Sequence, residues 1–208
     1  PWRSTVDALS ALIVDDDRNV NNRFAVAAEL NGRMTGGPGP FWGCPPTAAS
    51  ATLAPTKPRA FAPVAEWRTV ENELRSQGRR PFSVWQLLGA GAVGGQSLLA
   101  IPMVHRLIQR WPDRVAVWPL TTGLTVPETG EGSVVIAEVW PSMMESMSVH
   151  AGESPDIVRD EAQVRNTCAW MVELAASGGL AALFAPAVPD AVRPLVEHEE
   201  GWVLGVTV

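Results

Sequence analysis

SVWQLLGAGAVGGQSLLAIPMVHRLIQRW, residues 83–111, joins an apolar run, a glycine-dense turn and a long amphipathic segment, and its reading decides the fold. Gly89, Gly91 and Gly94 match the spacing G-x-G-x-x-G. In that pattern one glycine makes a tight turn, the second lets a pyrophosphate approach the backbone, and the third lets the helix pack on its strand. Residues 83–88 suit a short strand, and Leu98, Ile101, Val104, Leu107 and Ile108 recur at helical spacing through residues 93–111. A second strand at residues 115–118 completes a β-α-β unit on this reading. The acidic residue that would hold a ribose hydroxyl is missing, because the run there is VAVWPLTT and the nearest carboxylate, Asp113, precedes it. Pro102 interrupts the helix and predicts a kink or a late start. Three readings of the glycines stay open: a nucleotide-cofactor loop, a close helix-to-sheet contact, and an active-site loop of other chemistry.

Around this stretch the chain has the length and the 46% hydrophobic share of one globular domain, so residues 1–208 are read as a single α/β domain. The net charge of -6 argues against a broad basic surface and leaves room only for a local basic groove. Cys44 and Cys168 are far apart and form neither a C-x-x-C nor a zinc spacing, which makes the cytoplasm the natural compartment. No apolar run is long enough to span a membrane, so no membrane partner is expected. Pro1 opens in what reads as the middle of a helix, and an N-terminal piece is expected upstream.

Val6, Leu9, Leu12 and Ile13 predict a first helix ending near Asp15, Asp16 and Asp17, followed by a second over residues 20–34. The three carboxylates lack the alternation and glycine of a calcium loop and read as a solvated, capping turn. Residues 35–63 form a long Gly/Pro-rich loop, and Phe41, Trp42 and Cys44 within it are expected to pin it down and to wall a pocket. Cys44 is a candidate nucleophile, but no histidine is tied to it by spacing. Arg68, Glu71 and Arg75 share one face of a polar helix closed by Gly78. SVVIAEVW, residues 133–140, has the density of a buried strand, and Glu138 near its end is expected to be paired, protonated or bound to a cation. A helix over residues 156–177 follows, with Ile157, Val164, Cys168, Met171, Val172 and Ala175 on its apolar side. Short helices lead to the tail EEGWVLGVTV.

DRNVNNRFAVAAELNGRM, GPGPFWGCP, SVWQLLGAGAVGGQSLLAIP, VWPLTTG, VIAEVWPS, DEAQVR and EEGWVLGV together resemble a bacterial family whose members are labelled cobalamin biosynthesis or molybdopterin-guanine dinucleotide synthesis proteins. That family in turn resembles ribonuclease H-like domains described as predicted nucleases. The resemblance implies a ribonuclease H-like layered fold with an incomplete sheet and missing N-terminal strands. It implies carboxylates converging on Mg or Mn to activate water against a phosphodiester. By position Glu138 is then the later-strand carboxylate and Asp160 the one on the long helix, both catalytic and metal-ligating. The first-strand aspartate has no counterpart, so this chain alone is expected to be inactive. Under the same reading Gly89, Gly91 and Gly94 border the site, where a helix N-terminus holds an anion with Arg23, Arg68 and Gln96 as partners. A phosphate-containing small molecule or a nucleic acid is the implied partner. The alternatives are a nucleotide- or pterin-cofactor-binding protein of cofactor biosynthesis, and a non-catalytic interaction module.

Overall fold

The computed structural model describes residues 2–61, 63–144 and 158–208. The protein is mostly helical with a small two-stranded parallel sheet, and the chain divides into two compact units, Pro1–Asp113 and Arg114–Val208.

In the first unit α1 (Trp2–Leu12) and α2 (Arg23–Thr35) both pack on α4 (Gly94–Arg110). Leu9, Val26, Ala27 and Leu98 meet there with Phe41, Cys44, Leu53 and Leu87 from the connecting segments, forming one buried cluster. The side chains of the acidic turn bond to its own backbone. Asp16 Oδ1 accepts hydrogen bonds from the Arg18 and Val20 amides at 3.0 and 2.8 Å, while Asn22 bridges the Val14 amide and the Leu12 carbonyl at 2.9 Å each. Because Asn22 spends its side chain on the preceding helix, α2 begins at Arg23, three residues after the start expected at residue 20. Pro102 neither delays nor ends α4, which starts at Gly94 and continues through it.

The long loop is held from the core side. Asn31, with no exposed surface, accepts the Phe41 amide at 2.8 Å and donates to the Phe41 and Thr52 carbonyls at 2.8 and 2.7 Å. One short 3-10 turn (Pro46–Ala48) is its regular structure among the described residues. α3 (Thr69–Ser76) buries Val70 and Leu74, and Glu71 bonds back to the Arg68 amide at 2.9 Å in a capping arrangement.

In the second unit β1 (Val115–Val117) pairs in parallel with β2 (Val134–Ile136), Val115 opposite Val134 and Val117 opposite Ile136. The strand expected over residues 133–140 is thus three residues long, and Val134 is 51% exposed. Beyond it the chain stays extended enough for Glu138 to bridge Val203 in parallel, with the Leu204 amide donating to the Glu138 carbonyl at 2.8 Å. The tail is therefore core: Trp202, Val203, Leu204 and Val206 are each no more than 3% exposed. After α5 (Pro141–Met144), α6 (Arg159–Ser177) buries Ala162, Thr167 and Trp170. The predicted stripe lies on the wrong face, since Val164 and Val172 are 58% and 68% exposed and Cys168 is exposed as well. Trp170 offers far more apolar surface than either valine, and the helix turns to bury it. Ile157 lies outside the described residues. The short helices α7 (Leu180–Leu183) and α8 (Arg193–Leu195) lead through a π turn, Val196–Glu200, to the buried C-terminal segment.

Candidate functional site

The glycine motif is a packing device. Residues 83–88 form no strand of the sheet. Trp42 and Gln86 make a single parallel bridge, with the Trp42 amide bonded to the Trp85 carbonyl at 3.0 Å and the Leu87 amide to the Trp42 carbonyl at 2.8 Å. A cofactor loop needs a parallel strand feeding the helix, so the β-α-β expectation fails at its first element. Gly94 and Gly95 are buried. A Cβ on Gly94 would drive into the Val84 carbonyl oxygen and lie 2.7 Å from that of Gln86; one on Gly95 would lie 2.7 Å from the Leu87 oxygen. The first amide of α4, Gly94 N–H, is spent on the Gln86 carbonyl at 2.9 Å. Gly89 and Gly91 make the preceding turn at φ of 121° and 78°, where a side chain is strained.

Of the proposed anion partners, Arg23 lies beside the start of α4, its Nε 3.4 Å from the Cβ position of Gly95, with its guanidinium bonded to Asn21 Oδ1 at 2.8 Å. Gln96 is exposed in the first turn of α4. Arg68 belongs to another place: its Nε bonds to Glu71 at 3.0 Å at the start of α3. Phe41 and Cys44 do pin the loop, as buried members of the first unit's core, and Phe41 meets the Trp85 ring edge-on at 4.9 Å. Burial pushes the Cys44 thiol up, which suppresses the thiolate a nucleophile needs. Trp42 is half-buried, and its Nε1 is buried with no hydrogen-bond partner among the described residues.

Glu138 is exposed, so the buried carboxylate argued from its strand is corrected: its neighbours Ala137 and Val139 turn inward and Glu138 alternates outward. Asp160 is also exposed, in the first turn of α6. Among the described residues no group of three His, Cys, Asp or Glu side chains is gathered as a metal site.

Sequence reasoning missed a groove of about 590 Å³ in the second unit. Val135, Ala137 and Val139 form one wall, alternate residues on the same face of β2 and its extension. Met171, Ala175 and Gly178 from the C-terminal half of α6 face them, with Leu180, Ala181 and Phe184 beyond and Val126, Pro127 and Thr129 closing one side. Thr129 is the one polar side chain among these. The alternation V-x-A-x-V and the small residues Ala175, Gly178 and Ala181 were the available signal. Asp160 stands eleven residues before Met171, roughly 16 Å along the helix axis at 1.5 Å per residue, and takes no part in the groove.

Searches against protein-family models, curated proteins and solved structures returned no match to this chain. Among the described residues no helix is long and apolar enough to cross a membrane.

Proposed function

We propose that this chain is a non-catalytic interaction module whose second unit receives apolar side chains of a partner protein. One observation carries the reading: a groove of binding-site size, about 590 Å³, is lined by side chains that are apolar apart from Thr129. Pockets of roughly 300–1,000 Å³ with such walls are the usual receptacles for apolar groups. Val126, on its border, is 51% exposed, so apolar surface continues onto the rim. Titration with an apolar fluorescent probe, 1-anilinonaphthalene-8-sulfonate, is expected to saturate at one site per chain. Ala175→Asp and Ala181→Asp, both at exposed helical positions, are expected to abolish that binding while costing at most about 0.7 kcal/mol each in helix propensity. Undiminished binding by the double variant would remove the support.

The ribonuclease H-like, metal-dependent hydrolase reading, which comes from the family resemblance, is the second proposal. Its support is that Glu138 extends β2 and Asp160 opens α6, the strand and helix positions the resemblance assigns to ligands. Mg or Mn would then raise the thermal midpoint, and Glu138→Gln and Asp160→Asn would cancel the rise. No midpoint shift would retire this reading, and the nucleotide- or pterin-cofactor reading would be tested next with those ligands.

A further inference from the structure

Residues 57–82 hold six basic side chains against three acidic ones, in a chain of net charge -6. Two of the six are neutralised locally: Lys57 pairs with Glu66 at 2.5 Å and Arg68 with Glu71 at 3.0 Å. Arg59, Arg75, Arg79 and Arg80 are exposed and make no ion pair among the described residues. Aromatic rings lie among them. The Arg75 guanidinium stacks on Trp67 at 4.4 Å, and Lys57 Nζ lies 6.0 Å from Trp67 and 5.7 Å from Phe61. Phe82 is 43% exposed while its ring edge rests against Gly91.

This surface is built on fixed backbone. Ser83 Oγ donates to the Glu66 carbonyl and Trp85 Nε1 to the Ala65 carbonyl, both at 2.9 Å, so the Phe82 strand of chain is tied beside Trp67. The Arg79 amide donates to the Leu74 carbonyl at 2.9 Å, which folds Arg79 and Arg80 back over the end of α3. We infer that this face of the first unit binds single-stranded nucleic acid, the arginines meeting phosphates and Phe82 stacking a base. An exposed aromatic ring, Phe82, beside cations without ion pairs is the chemistry that single strands require, because each base offers a π-face and each linkage a charge. Guanidinium groups suit phosphate better than ammonium groups, through their planar, two-pronged donors. The acidic remainder of the chain confines binding to this face.

The test is fluorescence anisotropy of a labelled oligothymidylate with the full chain, alongside a DNA duplex, heparin and phosphatidylserine vesicles in the same buffer. Four phosphate contacts predict that affinity falls about fiftyfold between 50 and 200 mM salt, from a single-strand slope of about -0.7 per contact. Arg79→Glu with Arg80→Glu, at exposed positions without side-chain partners, is expected to lose at least about tenfold in affinity at 50 mM salt. Phe82→Ala is expected to lose about tenfold as one base stack disappears, and Phe82→Trp to restore it. Circular dichroism melts confirm that each variant is folded. Absence of oligothymidylate binding, wild-type affinity in the double charge reversal, or equal or tighter binding of duplex, heparin or vesicles would overturn the inference.

Discussion

Asn31 ties the long loop to the helices through three hydrogen bonds, two buried ones to the backbone of Phe41 and a partly buried one to the Thr52 carbonyl. A buried amide or carbonyl left without its partner costs about 1–3 kcal/mol. Asn31→Ala, which strands the two buried Phe41 groups, is therefore expected to destabilise the first unit by at least about 2 kcal/mol in urea denaturation. Cys44 gives a second prediction at this scale. Burial raises its thiol above the ordinary 9.0, so the folded state holds the proton more tightly than the unfolded one. The resulting stability is fully present below pH 9 and is lost as pH rises through the raised value. At pH 8 iodoacetamide is expected to modify exposed Cys168 and to reach Cys44 only on unfolding, as read by peptide mass mapping. That Cys44 would help pin the loop was legible in the sequence, whereas the role of Asn31 was not. Asn31 sits mid-helix with nothing in its neighbours to announce a partner ten or twenty residues away, and the burial of Cys44 depends on Leu53 and Leu87 arriving from separate segments.

At the scale of elements, the start of α4 shows what periodicity reads well and what spacing reads badly. The helix itself was legible from its apolar repeat, and Gly178 was legible as the end of α6, where it adopts a left-handed φ of 77°. The glycine motif left its readings open because a nucleotide loop and a tight helix contact demand the same thing, the absence of a Cβ; only the neighbours distinguish them. At Gly94 those neighbours are the Val84 and Gln86 carbonyl oxygens. Gly94→Ala is accordingly expected to lower the thermal midpoint sharply, at a cost of several kcal/mol, on the order of an overpacked core substitution or more. A midpoint within a degree of the parent would show that α4 is not seated as described. The α6 stripe failed for a different reason. The expected stripe took in Val164 and Val172 and left out Trp170, whereas burying the larger ring removes more surface from water.

Over the whole molecule the sequence read as one α/β domain, and the mixed helical character with a parallel pair of strands is there at a smaller scale. Long-range pairing hid the rest. Residues 201–208 looked like a tail because no turn signal links them to Glu138, yet Trp202, Val203, Leu204 and Val206 are buried and Val203 bridges Glu138. Removing them exposes Trp202, Val203, Leu204 and Val206 sites worth about 1.5–3 kcal/mol each, a sum comparable with the stability of a whole domain. Hydrogen exchange of a chain ending at Glu200 is expected to show protection lost throughout the described residues 114–144 and 158–200. Protection equal to the parent's would contradict the assignment of this segment to the core.

The groove in the same unit carries the functional reading, so its occupancy is the measurement to make first. In amide NMR spectra of the full chain titrated with 1-anilinonaphthalene-8-sulfonate, the account predicts saturable shifts concentrated at Val126, Val135, Ala137, Val139, Ala175 and Ala181, absent in the Ala175→Asp, Ala181→Asp variant. Shifts scattered over the chain, or centred elsewhere and unchanged in that variant, would contradict it.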